Sequence, residues 1–367
     1  MKALVIDAPG NARVEPSADL PVPGPGEVRV AVRAAGVCAG DLYIYQGKNP
    51  YAAYPVIAGH EIAGHIEALG PDANCPNVNG PDVNGQGVNG PGVSGPRVTD
   101  TGVPSLAVGE LVVVEPFLGC GTCYPCRRGK SNCCAKLKIL GIHRAGGYAQ
   151  FVVAPATHIH RLPTGMSASL ASFAEPVAIG VQACRRGEIT GGDHVLVMGC
   201  GPIGLALIEV ARARGATVIA ADVSPARLDF ARQLGAHTLP SDHTLPAKIM
   251  ELTNGEGMPV VIEATGVAAV MRQSAELVAA GGRVVIVGLV KKGTEVAFEG
   301  LDFTRKEMTL VGSRASANCF PEALALLASG KVTYPRVATE FSMWDGPQVL
   351  QDLTAHPGKV HKAVLLT

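Results

Sequence analysis

Four cysteines, Cys120, Cys123, Cys126 and Cys134, are the most specific chemical signal in the sequence. Two residues separate each of the first three, and seven separate the third from the fourth. Four thiolates at such spacing close a tetrahedron around zinc and leave no position for a substrate, so the site they form is structural. Cys133 adjoins Cys134 and offers a competing thiolate. A second set is more scattered: Cys38, His60 and Glu61 upstream, and Glu175 in Phe173-Ala174-Glu175-Pro176. A thiolate, an imidazole and a carboxylate with one position left open make the ligand set of a catalytic zinc, a Lewis acid toward an alcohol or carbonyl oxygen. Taken alone these residues are a weak signal, since a solitary Cys or His is more often a core filler. Asp41, three residues after Cys38, is a natural acceptor for the ring N–H of His60, or else a turn aspartate beside Gly40.

The third constellation is Gly199-Cys200-Gly201-Pro202-Ile203-Gly204. The apolar run Val195–Met198 precedes it, an apolar-periodic segment follows to Gly215, and Thr217-Val218-Ile219 leads on to Asp222. Strand, glycine turn, helix and strand-end acid stand at the spacing a dinucleotide requires, with the diphosphate facing free N–H groups at the helix start. Asp222 can accept both ribose hydroxyls of NAD and would repel a 2′-phosphate, and Val223-Ser224-Pro225 after it bring no arginine. Arg227, Thr265 and Gly288 complete the expected cofactor set. Cys200 inside the turn is expected to pack, and Cys75, Cys184 and Cys319 to be structural or incidental.

The elements that must position these groups follow from length and pattern. At 367 residues the chain exceeds one ordinary core, and 47% hydrophobic residues suffice for two. Lys plus Arg equals Asp plus Glu at 31 each, with no basic stripe, which argues against nucleic acid. Neither a signal peptide nor a membrane span is legible, so a cytoplasmic protein is expected, and its ten cysteines point to metal rather than disulfides. Strands are predicted over Ala3–Ile6, Glu27–Arg33 and Glu110–Val114. Between about Pro71 and Ser105 a valine recurs every five residues among Gly, Pro and Asn, a pattern that buries no core and reads as a turn-rich insertion. Beyond Val195, helices through Leu228, Leu234 and Leu277 alternate with strands at Val260–Ala264 and Val284–Leu289, predicting a parallel sheet wrapped by helices. A helix near Pro321–Ser329 and a strand at Val360–Leu366 break that alternation and are expected to return to the first domain.

Together these pieces resemble the zinc-dependent medium-chain dehydrogenases, the alcohol, sorbitol and threonine dehydrogenase family. The resemblance rests on Gly59-His60-Glu61-x2-Gly64, the four-cysteine lobe, Glu175-Pro176 and the glycine fingerprint, and covers nearly the whole chain outside the insertion. It implies an α/β fold with a β-rich, GroES-like catalytic domain over 1–177 and 313–367, carrying a zinc lobe at about 117–135. A Rossmann NAD-binding domain over 178–312 interrupts it, with the active site in the cleft between. It selects Cys134 over Cys133, and implies two zinc ions per chain, one structural and one on Cys38, His60 and a glutamate, Glu61 or Glu175.

A glutamate at 175 resembles the polyol branch, and Tyr45–Pro50 with Val311–Asn318 resemble dehydrogenases of sugar acids such as L-gulonate or L-galactonate. The expectation is therefore reversible, NAD-linked oxidation of a secondary hydroxyl of a polyol or sugar acid to a ketone. An L-threonine-type amino-alcohol dehydrogenase and a catalytically silent NAD-binding relative are the alternatives. The family implies a homodimer or homotetramer. Arg314, placed where the tail is expected to re-enter the catalytic domain, is a candidate grip for a substrate carboxylate. The chain departs from the family at Gly40, where a hydroxyl residue is usual, and at Tyr43, where His is common. Tyr43 is accordingly a candidate to begin the proton relay.

Overall fold

The computed structural model describes residues 1–74, 105–356 and 358–367. Most of the valine-repeat insertion, and Cys75 with it, lies outside the described residues. The chain divides into two compact units, one of Met1–Glu175 with Ala338–Thr367 and one of Pro176–Val337.

The first unit is built on a seven-stranded sheet whose central strand is Glu27–Gly36. Its alternating sequence buries Val28, Val30 and Val32 on one face, as a period-two pattern demands. Antiparallel partners flank it: Glu61–Leu69 on one side, and Phe151–Pro155 and Lys362–Leu366 on the other. Gly36 therefore stands opposite both Glu61 and Val364, so the last strand of the chain and the strand that begins at Glu61 flank the end of the central strand from its two sides. Leu111–Val114 and Ile159–Arg161 extend the sheet, and the core gathers Leu4, Ile6, Ile62, Ile66, Val112 and Tyr148.

The second unit is a six-stranded parallel sheet in the order His237–Pro240, Thr217–Asp222, His194–Met198, Met258–Glu263, Val278–Ile286, Thr309–Gly312. Numbered along the chain, that is the 3-2-1-4-5-6 order of a dinucleotide fold, with the reversal beside the strand leading into the glycine turn. Gly199 has φ +103°, and a Cβ on Gly204 would lie 1.9 Å from Gly199 O, so neither position admits another residue.

Two expectations are corrected. The strand expected at Val284–Leu289 runs from Val278 to Ile286, because pairing with Met258–Glu263 starts at Val278, and Val287 and Gly288 turn their N–H groups onto the Glu263 carbonyl. The tail expected to return to the first domain at 313 returns only at Ala338. The helix Phe320–Ala328 stays with the parallel sheet because Glu322 pairs with Arg185 and Arg214. Buried Glu209 also accepts the N–H groups of Thr333 and Tyr334 at 2.7–2.9 Å. Among the described residues no helix is long and apolar enough to cross a membrane.

Candidate metal and dinucleotide sites

In the first unit Cys38 caps the helix Ala39–Tyr45, and His60 ends the loop that feeds the strand Glu61–Leu69. Ligand atoms of Cys38, His60 and Glu61 lie within 4.8 Å of one another, near enough to share one ion. Asp41, fully buried, holds both segments. Its Oδ2 accepts the Cys38 N–H at 3.0 Å and the Tyr148 hydroxyl at 2.9 Å, and its Oδ1 accepts the Gly59 N–H at 3.2 Å. His60 Nδ1 faces the same Oδ1 at 3.4 Å, which leaves Nε2 as the ring nitrogen available to an ion. Burial opposes the Asp41 charge, yet His60 and the hydrogen bonds from Cys38 and Tyr148 hold its carboxyl low. Burial also opposes protonation of His60, but Asp41 and the Cys38 sulfur together draw positive charge onto the ring. Such a pocket suits a cation.

Glu175 is buried at the start of the helix Ala174–Arg186, outside the 4.8 Å group. Burial, reinforced by Glu61 and Asp41 against the opposing pull of His60 and Lys362, raises its carboxyl to about 7. Glu61 Oε2 and Glu175 Oε2 both find no hydrogen-bond partner among the described residues. Two orphaned carboxylate oxygens beside a thiol and an imidazole are the donors a divalent ion would satisfy.

The second metal set comes together as the spacing implied. Cys120, Cys123, Cys126 and Cys134 place their sulfurs within 4.8 Å of one another, whereas Cys133 is exposed. The N–H groups of Cys120 and Lys136 both point at Cys134 Sγ at 3.2 Å. Hydrogen bonds from Thr122 lower the Cys120 thiol to about 5. Donors aimed at sulfur favour thiolate, the form that binds zinc.

In the second unit Gly201 caps the helix Pro202–Ala213, with Pro202 at its first position, where no N–H is required. Asp222 is tied into the turn. It accepts the Cys200 N–H and the Ser224 N–H, each at 2.8 Å, and Arg227 approaches it at 3.8 Å. Thr265 packs against Gly199, where a Cβ would come within 2.8 Å of its Cγ2. Buried Glu263, from the adjacent strand, accepts the N–H groups of Thr265 and Gly266 at 2.6 and 3.0 Å. Gly288 N–H in turn meets the Glu263 carbonyl at 3.1 Å. Burial pushes the Cys200 thiol up to about 12, in keeping with a packing role.

Tyr43 is 53% exposed, and the hydroxyl on Asp41 is that of Tyr148. Arg314 is exposed and lies in the parallel-sheet unit, not in the first domain. Sequence reasoning missed Tyr148 and Lys362. Lys362 Nζ donates to Glu61 Oε1 at 2.5 Å and to the Val37 carbonyl at 3.0 Å, fully enclosed. Its signal was available, a single lysine opening an otherwise apolar strand.

Comparison with known proteins agrees with this anatomy. Residues 24–164 match the alcohol dehydrogenase GroES-like domain and residues 202–329 the zinc-binding dehydrogenase domain. The chain is 33% identical over 325 residues to L-galactonate-5-dehydrogenase of Escherichia coli K12, covering 88% of this chain and 86% of that protein. It is 34% identical over 352 residues to L-threonine 3-dehydrogenase of Bacillus licheniformis, covering 92% and 91%. An alcohol dehydrogenase from E. coli CFT073, whose crystal structure contains NADH, superposes with a TM-score of 0.85 at 29% identity over 100% of this chain and 99% of the other.

Proposed function

Because this chain belongs to the zinc-dependent medium-chain alcohol and polyol dehydrogenase family, we propose that it oxidises a secondary hydroxyl of a polyol or sugar acid to a ketone, reversibly, with NAD as acceptor. The observation that carries this reading is the grouping of half-buried Cys38 with buried His60 and Glu61, in a chain that also bears a dinucleotide turn closed by Asp222. When bound, zinc supplies a Lewis acid toward the substrate oxygen and NAD the hydride acceptor.

The protein's own part is positioning. Asp41 fixes the Cys38 and His60 segments, and Glu61 and Glu175 offer two carboxylates, of which Glu61 is held by Lys362. Asp222 braces the glycine turn while remaining an acceptor for ribose hydroxyls. The four-cysteine lobe would hold a second, structural zinc. Arg314 remains a proposed grip for a substrate carboxylate.

An L-threonine-type activity is the second reading, favoured by the identity to the Bacillus enzyme. Nicotinamide reduction across polyols, hexonates and L-threonine separates the two. The proposal expects polyols or hexonates to lead by kcat/KM, and a decisive preference for threonine would reverse it. If Arg314→Ala slows neutral polyols and hexonates equally, the carboxylate grip is wrong.

A further inference from the structure

Tyr148 is the most enclosed polar aromatic side chain beside the candidate ion seat, with 0% exposure. It stands on a segment laced to the loop before His60: Gly147 N–H meets the Gly59 carbonyl at 2.8 Å, and Tyr148 N–H meets the Ala58 carbonyl at 3.0 Å. Its ring lies flush on Gly59, where φ is +88° and a Cβ would come within 2.4 Å of Tyr148 Cδ1. A phenylalanine would fill that space as well. The hydroxyl does something else, donating at 2.9 Å to the Asp41 oxygen that also accepts the Cys38 N–H. A buried carboxylate is held in one orientation only when its lone pairs are engaged, and the other Asp41 oxygen serves Gly59 and faces His60.

We propose that Tyr148 is a positioning residue for the ion seat: its hydroxyl locks the Asp41 carboxylate, and through it the relative placement of Cys38 and His60. The inference rests on the functional reading above, since it assumes an ion at those ligands. It predicts a defect of one metal site only, because the four-cysteine lobe shares none of these contacts.

The test is metal retention, read by elemental analysis during competition with a chelator, with the four-cysteine ion as internal control. Tyr148→Phe should weaken retention at Cys38 and His60 by about 10- to 100-fold, the range for an outer partner of a metal ligand, with the four-cysteine ion unchanged. In cobalt-substituted protein the visible spectrum of the Cys38 site should shift. In an Asp41→Asn background Tyr148→Phe should add little, because the hydroxyl would act through a carboxylate already lost. Wild-type retention in Tyr148→Phe, parallel loss at both sites, or a full further loss on top of Asp41→Asn would each overturn the proposal. A wild-type chain that takes up both ions beside an unaffected Tyr148→Phe overturns this inference alone. A wild-type chain that takes up only the four-cysteine ion overturns the functional reading and this inference with it.

Discussion

Lys362 Nζ lies 2.5 Å from Glu61 Oε1, with the two side chains 4% and 1% exposed. A buried pair is a poor source of net stability but is costly to break, since the remaining charge is left without a partner. Lys362→Met should lower unfolding free energy by about 3–5 kcal/mol in denaturant titration. Adding Glu61→Gln should recover part of that loss. Additive losses in the double variant would show that the two side chains are not coupled.

Asp222 has two duties, since its oxygens accept the N–H groups of Cys200 and Ser224 before any ribose arrives. NAD should be preferred over NADP by on the order of 100-fold in kcat/KM. Asp222→Ala should weaken both dinucleotides instead of exchanging one for the other, because the glycine turn loses its brace. Arg227, 3.8 Å from the carboxylate, is the nearest cation described to offer a 2′-phosphate. Equal kcat/KM for the two cofactors in the wild type would contradict the assignment.

Gly40 leaves room where the family usually has a hydroxyl: a Cβ there would sit 3.7 Å from His60 Cε1 and 3.8 Å from Cys38 Sγ, ordinary contact distances. Gly40→Ser should therefore fold normally and raise kcat near neutral pH by up to about 10-fold if proton release limits turnover. Tyr43 is 53% exposed, and among the described residues no hydrogen bond ties its hydroxyl to Cys38, Asp41 or His60, so nothing in the geometry favours a relay through it. Tyr43→Phe should keep kcat within about twofold of wild type. A fall of tenfold or more, with a shifted pH profile, would reinstate it.

Glu322 joins Arg185 and Arg214 at 2.8 and 2.7 Å. Burial raises its carboxyl, but the two guanidinium groups outweigh burial and hold it below the ordinary range. A carboxylate lowered in the folded state adds stability above its unfolded pKa, and that stability is lost as pH falls through the folded value. Glu322→Gln should thus flatten the fall of Tm as pH drops below the ordinary glutamate value of about 4.3. An acid limb as steep as wild type would assign the acid sensitivity elsewhere.

Much of this was written in local pattern. The glycine turn, its strands and Asp222 are contiguous, so spacing sufficed to place them. The four cysteines span so short a loop that few arrangements other than a tetrahedron suit them. What escaped were contacts joining distant segments. Lys362 reaches Glu61 only because two strands flank Gly36, and Tyr148 reaches Asp41 across a loop pairing that hydrophobic period does not encode. The tail boundary was misplaced for the same reason: Glu209 and Glu322 hold residues as late as Tyr334 in the second unit through side chains far away in sequence.

The central claim is that a metal ion at Cys38 and His60 supports nicotinamide-linked oxidation of a secondary alcohol, and it is tested by stripping and restoring zinc while following nicotinamide reduction on the best polyol or hexonate. Wild-type protein should hold two zinc ions, lose turnover to chelator and regain it with added zinc. Cys38→Ala should keep its fold and the four-cysteine ion yet show no turnover, while Cys123→Ala should chiefly lose stability. Undiminished turnover in protein shown by metal analysis to hold no ion at Cys38 and His60, or in Cys38→Ala itself, would contradict the account.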